Sequence, residues 1–374
     1  MKRVLFFFLL FFPAFAPAQL VPPTPSVAAK SYVLLDFFSL RMLATNNPHE
    51  KIEPASLTKL MTAYLSFWAL KEKHLTLDRV LPVSQQAWRA QGSRMFIEPN
   101  KPVTVDELLR GMIVQSGNDA SIALAEGVAG TEEAFVEMMN REVARLGMKN
   151  TNFVNSTGLP HPQHYSTAYD LALLAAAIIR DFPDNYALYS LKEYKYNNIS
   201  QPNRNRLLFT DPYVDGVKTG YTENAGYCLI SSAKRGSQRL VSVVAGAATN
   251  NVRFSESQKL LNYGFQNYET VRLYEKGQVL STLPVWKGAS ETVQAGIGQD
   301  LFLTLGKGQR ERMQANLESR QPIFAPIAAG DKIGSLKLTL DGEPIAEVPA
   351  VALQDVPIAG FFGRVWDSLQ LYFK

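Results

Sequence analysis

The order of hydrophobic and polar positions changes character along this chain. Short stretches at 32–36 and 40–44 predict strands, with a turn or bulge over 37–39. From 55 to 71 the apolar positions Ala55, Leu57, Leu60, Met61, Ala63, Tyr64, Leu65, Phe67, Trp68 and Leu70 predict a helix. Helical periodicity returns over 105–114, 120–128, 132–146 and 167–179, broken by polar loops at 115–119 and 151–166. An all-helical lobe follows from that run. After Tyr196 an Asn-rich loop gives way to strands at 226–232 and 239–247, with Lys234-Arg235-Gly236-Ser237 as the hairpin turn, and then to a helix at 255–263. The pattern predicts an α+β fold, an antiparallel sheet with helices against it.

Beyond Thr270 helical periodicity vanishes. Short strands are expected at 278–283, 293–295, 301–305, 321–326, 332–340 and 345–352, with Gly, Pro and Asp between them. This predicts a small all-β domain over 278–356, after a first domain over 29–277. The final stretch, 357–374, reads as an amphipathic helix. At helical pitch Ile358, Phe361, Phe362, Val365, Trp366, Leu369, Tyr372 and Phe373 fall within an arc of about 140°. Docking on the protein's own surface is one reading of that arc. A terminal segment with five aromatics on one side is better explained by lying in the plane of a membrane surface.

Charge and processing signals narrow the setting. Lys2 and Arg3 precede the apolar run 4–12 and the small-residue stretch 13–18, the pattern of a cleaved leader over 1–18, with a Pro-containing tether over 19–28. Nine apolar residues are too few to span about 30 Å of hydrocarbon as a helix, so export is expected, not a retained anchor. Without Lys2 and Arg3 the net charge of +4 falls to +2, and no basic block with interleaved aromatics occurs, so nucleic acid is not an expected partner. The single cysteine, Cys228, sits in an apolar run and is expected to be a buried thiol. His49, His74, His161 and His164 form no ligand pattern beyond the last two, and neither metal nor cofactor is expected.

Polar clusters inside apolar surroundings carry the candidate chemistry. Ser56 and Lys59 stand three apart on the first helix, so hydroxyl and amine are neighbours. A serine at a helix start is ordinarily a cap. A lysine at an apolar helix is costly when charged, however, and a neutral amine there can take the serine's proton. Ser116 and Asn118, in Ser116-Gly117-Asn118, offer a hydroxyl and an amide, and Lys218-Thr219-Gly220 offers a cation and a hydroxyl. Nucleophile, base, proton relay and donors for a developing oxyanion are what serine acyl transfer requires.

On the motifs Pro54-Ala55-Ser56-Leu57-Thr58-Lys59, Gln115-Ser116-Gly117-Asn118-Asp119-Ala120 and Val214-Asp215-Gly216-Val217-Lys218-Thr219-Gly220, the sequence resembles the low-molecular-mass penicillin-binding proteins. The resemblance is to the exported serine D-alanyl-D-alanine carboxypeptidases of the penicillin-binding protein 5 and 6 type, from about residue 29 to the C-terminus. It implies the transpeptidase fold shared with serine β-lactamases, Ser56 as nucleophile and Lys59 as general base. It gives Ser116 and Asn118 a part in proton transfer, and places Lys218, Thr219 and Gly220 on an edge strand that pairs with the substrate backbone. Arg253 matches the family arginine that receives the substrate carboxylate, and Arg204 another arginine near the cleft. Tyr221 stands where the enteric relatives have histidine. The resemblance implies that its N–H, with that of Ser56, forms the oxyanion hole.

The implied reaction removes the terminal D-alanine of a peptidoglycan stem pentapeptide through an acyl-enzyme, with β-lactams trapping the same serine. The implied location is the periplasmic face of the inner membrane. A class A β-lactamase shares two of the motifs but uses a glutamate on the loop after the second, and no glutamate occurs between Glu142 and Glu193. Endopeptidase or transpeptidase action would change only the cleaved bond or the acceptor. A non-catalytic wall-binding scaffold is the other alternative, against which stand the intact Ser56, Lys59 and Lys218.

Overall fold

The structure, a computed structural model, describes residues 21–372. The expected leader and Phe373 of the terminal arc lie outside these. The first sheet is five-stranded and antiparallel, in the order β2-β1-β9-β8-β7. It is built from β1 (Ser31–Asp36), β2 (Met42–Asn46), β7 (Val214–Thr222), β8 (Gly226–Arg235) and β9 (Gln238–Ala247). Every residue of β1 is buried, because both faces of the sheet are covered. Val33 and Leu35 point into the core shared with the helical lobe, while Tyr32 and Leu34 point into the core under α9 (Asn250–Asn267). The two-residue alternation of a strand thus serves two cores.

The lobe is inserted between β2 and β7. A 3-10 turn, Ala55–Thr58, leads into α1 (Lys59–Lys71), whose residues from Lys59 to Phe67 are all buried. A helix apolar all round belongs at the centre of a bundle. Around it lie β3 (Val80–Leu81), α2 (Gln85–Trp88), β4 (Val103–Thr104), α3 (Val105–Arg110), α4 (Asn118–Ala129), α5 (Glu132–Arg145), α6 (Ala168–Asp181) and α7 (Pro183–Tyr186). Side-chain caps set the starts of four of them: Ser84, Thr104 in a capping box with Glu107, Thr131 and Thr167. A hairpin of β5 (Glu193–Tyr196) and β6 (Ile199–Pro202), then α8 (Leu207–Thr210), return the chain to the sheet.

The second domain holds a six-stranded sheet in the order β14-β16-β17-β12-β11-β15, and β10 paired with β13. Its strands are β10 (Tyr268–Tyr274), β11 (Val279–Trp286), β12 (Thr292–Ile297), β13 (Leu301–Gly306), β14 (Met313–Ser319), β15 (Ile323–Phe324), β16 (Lys332–Leu340) and β17 (Glu343–Ala352). The terminal helix is α10 (Phe361–Tyr372).

Several boundaries differ from expectation. The first helix was expected to carry Ser56, which instead lies in the 3-10 turn; regular helix begins at Lys59. A boundary after 277 cuts the antiparallel pair β10–β13, in which Tyr268 faces Gly306, so β10 belongs with the second domain by hydrogen bonding. The helix expected at 255 begins at Asn250, because the Thr249 side chain accepts from Val252 N and caps it there. The hairpin turn shrinks to Gly236 and Ser237, since both strands extend into the segment expected to turn. The terminal helix starts at Phe361, because Ile358 bridges Gly288 and Ala359 N donates to Lys287 O. Strand β14 and the β5–β6 hairpin were not expected: their side chains are mostly polar or exposed, so no buried face marks them.

Candidate active site

The 3-10 turn Ala55–Thr58 and the start of α1 bring Ser56 and Lys59 together, with Lys59 Nζ 3.1 Å from Ser56 Oγ. Lys59 is 1% exposed and its amine also donates to Thr157 O at 2.5 Å. Burial, and then the positive charge of Arg204, lower its pKa from 10.5 to about 7, against the raising effect of Asp119. The acceptor on Thr157 comes from the loop 151–166. Asn155 Oδ1 accepts from Thr157 N, Thr157 Oγ1 and Gly158 N, and Ser156 O accepts from Thr62 on α1. At Gly158, φ is +86° and a Cβ would lie 1.8 Å from Ala55 O, so only glycine lets this loop sit against the nucleophile turn.

The second motif closes another side. Ser116 terminates a π-helical turn with φ +65°, the left-handed region. Its Oγ is buried and has no hydrogen-bond partner among the described residues. Asn118 donates Nδ2 to Gln91 O at 2.6 Å, and its Oδ1 is likewise buried without a partner among those residues. Asp119 accepts from the main-chain N–H groups of Met95, Phe96 and Ile97, which pins the loop beside the motif. Gln115 reaches the other way, donating to Tyr194 O and Gln201 O on the β5–β6 hairpin. Two buried polar atoms left open in one place are costly unless a ligand uses them.

The third motif runs along β7, the edge of the sheet. A Cβ on Gly220 would lie 3.1 Å from Leu57 Cγ and 3.2 Å from Pro54 O, so the strand lies directly against the nucleophile turn. Lys218 is buried, and burial with the charges of Lys59, Arg204 and Arg253 drives its pKa well down. Thr219 is buried beside it. Tyr221 is 52% exposed, with its ring centroid 4.5 Å from that of Tyr227. Arg253, in the first turns of α9, donates Nη1 to Gly220 O and Cys228 O, and so braces β7 and β8 from behind their hydrogen-bonded pair. Arg204 is exposed, and its charge acts on Lys59, Lys218 and Arg253. Lys59, Lys218, Arg204 and Arg253 therefore share one field, which favours an anionic group in the cleft.

Ser56, Lys59 and Gly220 meet at the nucleophile turn, and Lys218, Arg204 and Arg253 share the field around Lys59, Arg253 in a bracing position. Thr219 and Tyr221 flank Gly220 on β7, and Ser116 and Asn118 stand at the start of α4 next to Asp119, whose charge reaches Lys59. Sequence reasoning missed Thr157, Gln91 and His164. The first two act through main-chain carbonyls, which leave no side-chain signal. His164 is held within the same loop, both ring nitrogens engaged by Thr58 and Val154.

Residues 18–249 match the family described as D-alanyl-D-alanine carboxypeptidase. The chain belongs to that family. It is a serine enzyme of the penicillin-binding class. Residues 268–357 match the C-terminal domain of penicillin-binding protein 5, and that match starts where β10 starts. The D-alanyl-D-alanine carboxypeptidase DacC of Escherichia coli K12 is 42% identical over 98% of this chain and 94% of its own length. Penicillin-binding protein 5 of Haemophilus influenzae superposes with a TM-score of 0.88, at 42% identity, over 90% of this chain and 99% of that one. Penicillin-binding protein D2 of Listeria monocytogenes, in its cefotaxime-bound form, matches at a TM-score of 0.61 and 31% identity, over 65% of this chain and 100% of its own.

Proposed function

We propose that this carboxypeptidase releases the terminal D-alanine of peptidoglycan stem pentapeptides through an acyl-enzyme on Ser56. The observation that carries the reading is the buried amine of Lys59, 3.1 Å from Ser56 Oγ, with a pKa near neutrality. When that amine is neutral, the Ser56 hydroxyl donates to its lone pair, while an amine N–H remains bonded to Thr157 O. Oγ then bonds to the carbonyl carbon between the two D-alanines, and the carbonyl π electrons move onto oxygen. The N–H groups of Ser56 and Tyr221 receive that charge. Ser116, whose Oγ is open, and Asn118 are assigned the passage of the Ser56 proton from Lys59 to the leaving amine. Collapse expels D-alanine, and water hydrolyses the ester. Arg204 and Arg253 supply the positive potential that draws the terminal carboxylate, Lys218 and the Thr219 hydroxyl offer it hydrogen-bond donors, and Gly220 lets the substrate strand run along β7.

A β-lactam offers the same amide and carboxylate, and a cefotaxime-bound form is known for the Listeria relative. The loop 151–166 carries no glutamate to activate a deacylating water, which favours a long-lived ester over β-lactamase turnover. Ser56→Ala should abolish both D-alanine release and covalent labelling by penicillin while leaving a folded chain. Intact-mass measurement with peptide mapping checks this; an adduct on another residue would defeat the assignment.

The reading extends to location. No helix among the described residues is long and apolar enough to cross a membrane. Along α10, however, Phe362 is 86% and Trp366 63% exposed, with Phe361, Val365 and Leu369 on the same side also exposed. Asp367, on the other side, accepts from Lys287 N and ties the helix to the β domain. An exported enzyme held to the periplasmic membrane surface by that apolar side fits this arrangement.

A further inference from the structure

Thr58 and Lys59, where the nucleophile turn joins α1, are each bonded to the loop 151–166, and the acyl-transfer scheme uses only the bond from Lys59 to Thr157. The other connects His164 Nε2 to Thr58 Oγ1 at 2.8 Å, with both side chains buried. Thr58 is the N-cap residue of α1, yet its hydroxyl makes no capping bond. Its backbone is helical, φ −49° and ψ −35°, because the 3-10 turn runs on into α1, so the hydroxyl is not drawn into a cap and is bonded to the imidazole instead. The second ring nitrogen is fixed as well. Val154 N–H donates to Nδ1 at 3.1 Å, which leaves the proton of a neutral ring on Nε2 and makes the ring the donor to Thr58. The ring rests beside Phe153, centroids 5.5 Å apart.

We propose, on the reading that Ser56 is the acylated residue, that His164 is a positioning residue which holds Ser56 and Lys59 in register by gripping Thr58 between them. Thr58 precedes Lys59 in sequence, so a sideways shift of Thr58 moves the amine relative to a hydroxyl already 3.1 Å away. The grip requires a neutral ring, because a proton on Nδ1 would oppose the N–H of Val154. Burial and the neighbouring His161 and Lys59 hold the ring neutral, with a pKa near 4.

The test uses the purified chain, its second-order acylation rate with a penicillin across pH, and its thermal midpoint. His164→Gln keeps a donor for Thr58 and an acceptor for Val154, His164→Leu keeps neither, and Thr58→Val removes the acceptor. His164→Leu and Thr58→Val should each slow acylation about 10²-fold. The double variant should be no slower than either single. In both singles the acid limb of the profile should move to higher pH, because a loosened turn admits water to Lys59, and His164→Gln should stay close to wild type. A folded His164→Leu that acylates at the wild-type rate with an unmoved acid limb overturns the proposal. So does the same result for Thr58→Val should His164→Leu fail to fold, or a His164→Gln as slow as His164→Leu. Wild-type protein that takes its adduct elsewhere than Ser56 overturns the underlying reading, a separate outcome seen by peptide mapping.

Discussion

Lys59 makes the site work by being a poor place for a charge. Its amine is buried against Thr157 O and repelled by Arg204, so the proton is held only below about pH 7. Below that value the amine has no lone pair for Ser56; above it the base is ready. Acylation by penicillin should therefore rise with pH through an apparent pKa near 7. A rate that kept climbing toward 10.5, the ordinary lysine value, would contradict it. His164 adds a second pH dependence, this one of stability. Its folded pKa is lowered from 6.5 to about 4, so the unfolded chain binds the proton more readily between these values. The stability it contributes is whole above 6.5 and is lost as pH falls toward 4. The thermal midpoint of wild type should fall more steeply across that window than that of His164→Gln.

At the scale of elements, the loop 151–166 and β7 clamp the 3-10 turn from two sides, and each touches it at a glycine. Gly158→Ala should be the more damaging change. It adds a Cβ onto Ala55 O at a left-handed φ, where Gly220→Ala meets only tight contacts. A loss of more than about 2 kcal/mol in chemical denaturation, with acylation lost alongside, is the expected outcome. The terminal helix is the other element whose role is open to measurement. Phe362→Ser and Trp366→Ser each remove an exposed aromatic that has no core to bury it, and each should weaken binding to lipid vesicles about tenfold. Equal co-sedimentation of wild type and variants would reject the membrane role.

Across the whole molecule the two domains meet at a buried carboxylate. Asp36, at the end of β1, accepts from Phe38 N, Ser39 N, Ser39 Oγ and, at 2.5 Å, Thr270 Oγ1 on β10. Arg41 donates to Thr304 O on β13, and Phe38 stacks on Phe302 with centroids 4.6 Å apart. Asp36→Ala leaves these donors unmatched and should destabilise the chain by roughly 2–4 kcal/mol while leaving penicillin acylation nearly unchanged. Calorimetry should show the two domains melting apart; a single unshifted transition would refute the link. The interface also shows what a linear reading loses. The strands β1 and β2, the helices α1, α5 and α6, the lysine on an apolar segment and the three polar motifs were legible, because burial imposes a period on the residues that suffer it. The β10–β13 pairing was not, since a register between distant strands is chosen by the partner. Nor was the grip of Thr157 and His164, because a main-chain carbonyl has no residue type and a buried histidine reads like any other polar loop residue. The sequence by itself determined which residues could do the chemistry and which faces must be hidden. Only the tertiary structure decided that the amine is dry, because desolvation is a property of everything packed around Lys59 and of no residue alone.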